Sequence, residues 1–538
     1  MFIKYKKEMF KNSVLLIFIT TITSLFITIT GFIGPLLIRH FIDNYTRYEN
    51  IVMPICIIFI AYISCYIFKV ILNIIKSRFS VSFKTRETCN LFRYMFKMRY
   101  ESLIQLEPTY LVEKINTSVN TFYQLYSDSV ASYIISVFTI IGCVSTIFFV
   151  NKIIGVVLVA IIPINIVGYK LLNKKLQYIC VNLQNVCAKN FADILSITSE
   201  IDFIKQSPDF KEIIGFLSKK VKAIQKENSN VGQYSGFVSL TLGDIINIIH
   251  NMIYIYVTIL MIEGKFALAD YIFVTLVISM FFPALNSIVG AGINLRDMKG
   301  VYEFVENDIM KNIENNGQYE LNHIDNIEYE IHNIGYNNNV LIEDGKFVVK
   351  CGDTVMIQGE SGCGKTTLMK GLVKFYDIEY IRLNNRDISE YSNDAVRSKI
   401  AFFSQNVPII TGTIKENILL GQKNSLNNIN QLKNKKFMKK FFDLDDGLEH
   451  MIYENGSNLS GGDKQKIALA RLYLENPDVI ILDEITSSID KKSEELIFED
   501  IVENFKEQII FVIAHDDNVK KYCNRFIKIE NKKCREIK

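Results

Sequence analysis

Val355-Met-Ile-Gln-Gly359-Glu360-Ser361-Gly362-Cys363-Gly364-Lys365-Thr366-Thr367 is the stretch on which the reading of this chain turns. The run Val355–Gln358 is short and apolar, as a buried strand would be, and a helical pattern begins at Thr367. Between them stands the pattern GxxxxGK[ST], a phosphate-binding loop in its strand–loop–helix setting. The glycines let backbone N–H groups turn inward on an anion, and the helix that follows presents its positive end to it. In such a loop Lys365 reaches the β and γ phosphates of a nucleotide and the Thr366 hydroxyl ligates Mg²⁺. Gly359, Glu360, Ser361, Gly362, Cys363, Gly364 and Thr367 complete the expected nucleotide-binding set.

Working outward, a second apolar run, Val479-Ile-Ile-Leu482, ends in Asp483-Glu484. An acid at the tip of a buried strand beside a phosphate loop suits Mg²⁺ coordination, so Asp483 joins Thr366 as an expected metal ligand. Glu484 is placed to polarise an attacking water. Between the two motifs lies Leu459-Ser460-Gly461-Gly462-Asp463-Lys464-Gln465, followed by a helical run.

The chain has 538 residues, too many for one ordinary domain, and 49% of them are hydrophobic. That excess sits almost entirely before residue 300. A helix needs about 20 apolar residues to cross a bilayer. Six segments qualify: roughly Ser13–Ile38, Ile51–Ile75, Val130–Val150, Ile153–Leu172, Phe237–Ile262 and Leu268–Ile293. The first is too long for a signal-peptide core and ends without a small-residue cleavage site, so it is expected to stay as a span. The joins after the second and fourth run for roughly 55 and 65 residues and are rich in Lys and Arg, from Lys76 to Arg99 in the first case. Lys4, Lys6, Lys7 and Lys11 precede the first span. Applying the positive-inside rule puts the N-terminus, both long loops and the C-terminal domain in the cytoplasm. Arg93–Gln105 and Phe191–Ile214 read as helical, either as extensions of the spans or as independent hairpins. In the fifth span Asp244, Asn247 and Asn251 form one helical stripe expected to face the bundle interior. It reads as a wet pathway or as helix–helix hydrogen bonding, with Asp244 alternatively at headgroup level. His250 lies off the stripe and reads as structural.

Net charge is only +3, and the basic residues flank apolar runs, so no nucleic-acid partner is expected. The ten cysteines form no CxxC pair and no cluster at metal-ligand spacing along the sequence. The fold class expected is therefore multi-domain. An all-α transmembrane domain of six helices (residues 1–306) and a polar linker (307–325) precede an α/β P-loop nucleotide-binding domain (326–538).

At Leu459–Gln465 the sequence resembles the ATP-binding-cassette family, whose signature usually reads LSGGQ. Further elements then match in the family's order. Tyr336 matches the aromatic that stacks on adenine. Gln405 in Phe403-Ser-Gln-Asn matches a glutamine that contacts Mg²⁺. Glu454-Asn-Gly456 resembles the exporter segment ahead of the signature, Ser487-Ser-Ile-Asp490 the loop that supplies Asp490, and Ile513-Ala-His-Asp the switch histidine His515. The membrane half resembles exporters more loosely, at Leu106–Tyr110, Glu200–Lys205 and Arg296–Tyr302.

The resemblance implies ATP and Mg²⁺ as cofactors and Lys365, Gln405, Glu484 and His515 as the catalytic set. Ser460, Gly461 and Gly462 would meet a second subunit's nucleotide, so a dimer, with both half-sites competent as a homodimer, is implied. The location implied is a bacterial cytoplasmic membrane, multi-pass, with both termini cytoplasmic. Export of a peptide such as a bacteriocin or lantibiotic stands against export of a lipid or hydrophobic drug, and against a membrane sensor. No peptidase domain precedes the first span, so any leader cleavage would occur elsewhere. Asp463 replaces the family's glutamine. It favours the helix start yet is expected near a γ-phosphate, with Lys464 placed to offset its charge.

Overall fold

Long isoleucine- and phenylalanine-rich runs pass into charged ones with no glycine cluster between, and the helices accordingly run on past their apolar parts. The computed structural model describes the chain apart from residues 1, 45–51, 199, 207–208, 333, 337–338, 377–380, 405–406, 421–428, 485–490, 515–516 and 538. The chain divides into two compact units, residues 1–98 with 102–313, and residues 99–101 with 314–538.

The first unit is helical: α1 (Phe2–Asp43), α2 (Val52–Met95), α3 (Tyr100–Gln105), α4 (Pro108–Gln124), α5 (Val130–Val150), α6 (Lys152–Thr198), α7 (Ile201–Gln206), α8 (Lys211–Ile262) and α9 (Leu268–Glu303). The 52 residues of α8 make a rod about 78 Å long at about 1.5 Å per residue, far more than a hydrocarbon core of about 30 Å. The long loops are thus continuations of α2, α6 and α8, linked by the short α3 and α7, and not independent hairpins.

Among the described residues five helices are long and apolar enough to cross a membrane. The fourth expected span corresponds to a shorter apolar stretch, Lys152–Gly168, at the head of α6. Only 6% to 50% of each spanning window is buried within the protein, and large side chains such as Ile60, Phe138 and Phe149 face outward. So much outward apolar surface needs a bilayer to cover it. The inward faces of α5, α6, α8 and α9 interlock through Ile147, Leu158, Ile253, Val257, Phe281 and Leu285.

The stripe on α8 does not face that core. Ile246, Ile253 and Val257 take the inward positions, and Asp244, Asn247 and Asn251 lie exposed on the other side. The apolar residues win the packed face because burying an unpaired amide or carboxylate there would cost more. His250 sits between the rings of Tyr254 and Phe282, with centroids 4.3 and 5.0 Å away, as a structural residue would.

The second unit is built on strands β1 (Asn326–Ile331), β2 (Ile334–Tyr336), β3 (Asn339–Ile342), β4 (Asp344–Lys350), β5 (Thr354–Gly359), β6 (Ile381–Leu383), β7 (Arg386–Asp387), β8 (Ile400–Phe403), β9 (Gly412–Thr413), β10 (Met451–Ile452), β11 (Val479–Asp483), β12 (Ile509–Ile513), β13 (Arg525–Glu530) and β14 (Lys533–Ile537). Its helices are α10 (Lys365–Leu372), α11 (Asn393–Arg397), α12 (Ile414–Leu419), α13 (Lys439–Phe442), α14 (Gly461–Glu475) and α15 (Lys491–Asn504). One ten-stranded sheet runs β7-β6-β1-β4-β14-β13-β5-β12-β11-β8.

Within the sheet β13, β5, β12, β11 and β8 are parallel neighbours, and β1 pairs antiparallel with both β4 and β6. The sequence explains the split. β11 and β12 are unbroken apolar runs buried on both faces, as central parallel strands are. β1 and β4 alternate, with Ile327, Tyr329, Ile331, Phe347 and Val349 turned to the core.

Candidate functional site

The parallel register brings the carboxyl ends of four strands level. Ile357 of β5 lies beside Ile513 of β12, Ile513 beside Asp483 of β11, and Leu482 beside Phe403 of β8. Ligands of open α/β sheets bind off this edge, and the phosphate loop leaves β5 there. Gly359 admits no larger residue, because a Cβ would sit 2.7 Å from both the Cys363 Sγ and the Ile529 carbonyl oxygen. Gly364 starts α10 with φ of 102°, a left-handed conformation that glycine adopts without strain. Glu360, Ser361, Gly362 and the half-buried Cys363 form the turn between them.

Lys365 is only 7% exposed, and its ammonium folds back to donate to the carbonyls of Gly359 (2.7 Å) and Glu360 (3.0 Å). It thereby braces the loop through two of its carbonyls. The next residue, Thr366, donates its hydroxyl to the Asp483 carboxylate at 2.9 Å. Burial pushes the Asp483 carboxyl above its ordinary range. The Thr366 hydrogen bond opposes that rise, Glu484 adds to it, and Lys370 and Lys365 oppose it.

Glu484 follows directly with φ of 53°, and its N–H donates to the Ile513 carbonyl at 2.9 Å. A non-glycine residue held there costs about 1–3 kcal/mol. The strained conformation falls on the residue directly after β11.

The signature segment is a helix cap. Ser460 is the N-cap of α14, and its hydroxyl accepts from the Asp463 N–H at 3.2 Å. The same hydroxyl donates to the Asp463 carboxylate at 2.7 Å. Asp463 therefore does not stand free at the helix end; it closes a capping box. Its charge is met by Lys440 at 2.7 Å and Lys466 at 3.7 Å. Burial works against that charge, but the bonds from Lys440 and Ser460 prevail, and the carboxyl lies below its usual range. The Lys464 side chain passes Gly456, with Cε 2.9 Å from where a Cβ there would stand.

The remaining expected site residues are distributed as follows. Tyr336 ends β2, paired with Asn339, and its side chain lies outside the described residues. Gln405, Asp490 and His515 lie outside them as well. Gly461 and Gly462 open α14, and Thr367 lies in the first turn of α10.

Two contacts were not legible in the motifs. Lys440 lies 23 residues before its partner Asp463. Tyr100, the first residue of α3, falls with Arg99 and Glu101 in the second unit, where its ring stacks on Phe375 at 4.8 Å and its hydroxyl accepts from Lys370 of α10 at 3.1 Å. A glycine-rich turn, a braced ammonium, a buried carboxylate and a hydroxyl at one strand edge together suit a polyphosphate.

The model of the ABC transporter transmembrane region matches residues 17–285, half of the chain, and that of the ABC transporter matches residues 342–487. The chain belongs to the ABC transporter family, with an ATP-binding cassette fused to its own membrane-spanning region. Its fold is that of a bacterial Atm1-family ABC exporter solved with ATP bound, with a TM-score of 0.83 over 98% of this chain and 94% of that one, at 17% identity. It is 32% identical over 216 residues to a probable ABC transporter ATP-binding/permease protein of Haemophilus influenzae, which covers 39% of each chain. It is 37% identical over 205 residues to the sublancin-168-processing and transport ATP-binding protein SunT of Bacillus subtilis, covering 37% of this chain and 28% of that protein. It is 27% identical over 367 residues to the ATP-dependent permease MDL1 of Candida albicans, covering 64% of this chain and 53% of that protein. The matched stretches thus span about half or less of these relatives' lengths.

Lys440 is half exposed while Asp463 is buried, so their pair has modest worth. Lys440→Ala should lower stability by about 1 kcal/mol, read from thermal unfolding of the solubilised protein. In an Asp463→Gln background the same change should cost almost nothing, and an equal loss in both backgrounds would show that Lys440 acts elsewhere.

Proposed function

We propose that this protein is an ATP-driven exporter of the cytoplasmic membrane that works as a homodimer and carries a peptide, such as a bacteriocin or lantibiotic, out of a bacterial cell. The observation that carries the ATP-driven part is the Thr366–Asp483 hydrogen bond beside Glu484, at the strand edge from which the phosphate loop springs. Both oxygens are hard donors, one of them a buried carboxylate, and that donor set fits Mg²⁺. Thr366 and Asp483 would hold the ion, with Gln405 joining on its sequence position. Once bound, the ion neutralises charge on the β- and γ-phosphates.

The chain's own residues do the rest. The loop amides from Gly359 to Thr367 and the Lys365 ammonium cradle the phosphates, and Tyr336 stacks on the adenine. The Glu484 carboxylate accepts a proton from the water that attacks the γ-phosphorus, and ADP leaves with the β–γ bridging oxygen. His515 contacts the γ-phosphate, and Asp490 serves the neighbouring subunit's site. Ser460, Gly461 and Gly462 present a helix N-terminus to the partner's nucleotide, where amides aimed at developing charge act most strongly.

The peptide reading rests on two supports. The SunT relative is named for sublancin processing and transport. And Asp244, Asn247 and Asn251 lie on the exposed side of α8. Polar groups at membrane depth are costly against lipid, so such a stripe belongs against water or another protein surface. A water-filled path shared with a second copy satisfies it and offers peptide amides their partners.

Three measurements bear on this. In proteoliposomes, candidate leader-free peptides should stimulate phosphate release several-fold, Glu484→Gln should cut turnover by about 10²-fold or more while ATP still binds, and Asn247→Ala should weaken the stimulation. Stimulation by lipids or hydrophobic drugs alone would replace the peptide as cargo.

Mixed dimers of Lys365→Ala and Ser460→Arg, isolated with orthogonal tags, hold one doubly damaged site and one intact one. They should bind ATP at the intact site and, if the sites act independently, regain up to about half the activity. Failure of both binding and activity would count against the shared site.

Finally, the Asp483 carboxyl must be ionised to take the ion, and burial raises its protonation range. MgATP affinity should therefore fall as pH drops, beginning above the range of an ordinary exposed aspartate, and Asp483→Asn should bind weakly with little pH dependence. Fluorescent-nucleotide titration across pH reads both.

A further inference from the structure

We propose that His323, Asp325 and Cys351 form a binding site for one Zn²⁺ ion, at the end of the sheet opposite the phosphate loop. His323 and Asp325 lie on the approach to β1, and Cys351 lies in the turn from β4 to β5. The His323 Nε2 stands 3.7 Å from Asp325 Oδ1 and 3.9 Å from Cys351 Sγ, and the three donor atoms all lie within 4.8 Å of one another. Bond lengths of about 2.0–2.3 Å around a tetrahedral Zn²⁺ set such donors about 3.3–3.6 Å apart. All three side chains are exposed, so small rotations close the difference, and water can fill the fourth position.

The histidine is already oriented for this. Its Nδ1 lies 2.8 Å from Asp478 Oδ1, and Asp478 is only 13% exposed. The other Asp478 oxygen accepts from the Ile324 N–H at 3.1 Å and lies 4.0 Å from Lys399. A carboxylate on one imidazole nitrogen holds the proton there and leaves the lone pair of the other free for a metal. The histidine–aspartate pair alone would serve the fold. That pair does not account for the second carboxylate beside the remaining nitrogen, and the Cys351 thiol there donates to the Ile324 carbonyl at 3.2 Å, a bond that zinc ligation would replace.

The backbone beneath is clamped too. The Asn384 side chain donates to the His323 carbonyl at 2.7 Å and accepts from the Asp325 N–H at 2.8 Å. The Cys351 N–H donates to the Asp325 carbonyl at 3.0 Å.

The donor set selects the ion. One imidazole, one thiol and one carboxylate suit Zn²⁺ and disfavour Mg²⁺ and Ca²⁺, which take oxygen ligands. The carboxylates of Asp325 and Asp478 lie on either side of the His323 ring. Their charges attract a divalent cation. Forming the Zn–S bond sends the thiol proton to solvent, so uptake strengthens as pH rises.

Asp478 immediately precedes β11, whose far end carries Asp483. A bound ion would therefore join the approach to β1, the β4–β5 turn and, through His323, the foot of the strand that bears the candidate metal ligand.

The test uses full-length, tag-free protein in detergent, stripped with chelator and titrated with Co²⁺ as a spectroscopic stand-in. One equivalent should produce a thiolate-to-Co²⁺ charge-transfer band that Zn²⁺ abolishes. Cys351→Ser should lose the band, and His323→Gln and Asp478→Asn should weaken Zn²⁺ binding tenfold or more. Zn²⁺ should also slow maleimide labelling of Cys351, located by peptide mass, at least tenfold. Co²⁺ uptake without a thiolate band, or a band that persists in Cys351→Ser, overturns the site. Should Cys351→Ser fail to fold, the exposed change Asp325→Asn and His323→Gln carry the test, and unchanged affinity in both overturns it equally.

Discussion

A carboxylate kept at the end of a strand buried along its length is the constraint around which the second unit is organised. Asp483 is 6% exposed, and an ionised carboxylate there is stable only with nearby donors or cations. The fold answers by setting Thr366 against it, which fixes how closely α10 approaches β11. That approach requires the tight turn between β5 and α10, and the turn requires Gly359 and Gly364. The apolar run of β11 ahead of Asp483, and the wholly apolar β12, follow from the same demand, since the carboxylate can be desolvated only if the strand delivering it is covered on both faces. Glu484, held at positive φ directly after that strand, carries local strain.

The signature segment shows a second way to handle an inward acid. Asp463 occupies the position where the family has a neutral amide. The helix start converts the charge into a cap, and Lys440 supplies the countercharge from α13. The carboxylate is held by the Ser460 hydroxyl and by Lys440 and Lys466. The departure from the family pattern is absorbed within the unit, at a helix end that already favours an acid.

Much of this was legible in the chain. The strand–loop–helix at Val355–Thr367, the strand ending in Asp483 and the helix after Ser460 all lie where period and turn chemistry put them, because local sequence decides them. The continuation of the spans into long helices was readable for the same reason. What escaped depends on contacts distant along the chain. No spacing rule links Lys440 to Asp463, or assigns Tyr100 to the unit that begins again at Glu314. The stripe at Asp244, Asn247 and Asn251 was visible as a stripe. Its direction was not, because helical periodicity identifies a face without saying what the face meets. Likewise His323, Asp325, Cys351 and Asp478 are spread over the chain and converge only once β1, β4 and β11 are laid side by side.

The length of α8 has a mechanical consequence. A rod of about 78 Å that crosses a hydrocarbon layer of about 30 Å leaves about 48 Å of stiff lever outside it. Tilting such a lever by about 5° about the membrane surface moves its far tip by about 4 Å, more than a hydrogen bond's length. An angular change too small to disturb side-chain packing between spans is thus magnified, at the distal tip, into a displacement large enough to make or break a polar contact.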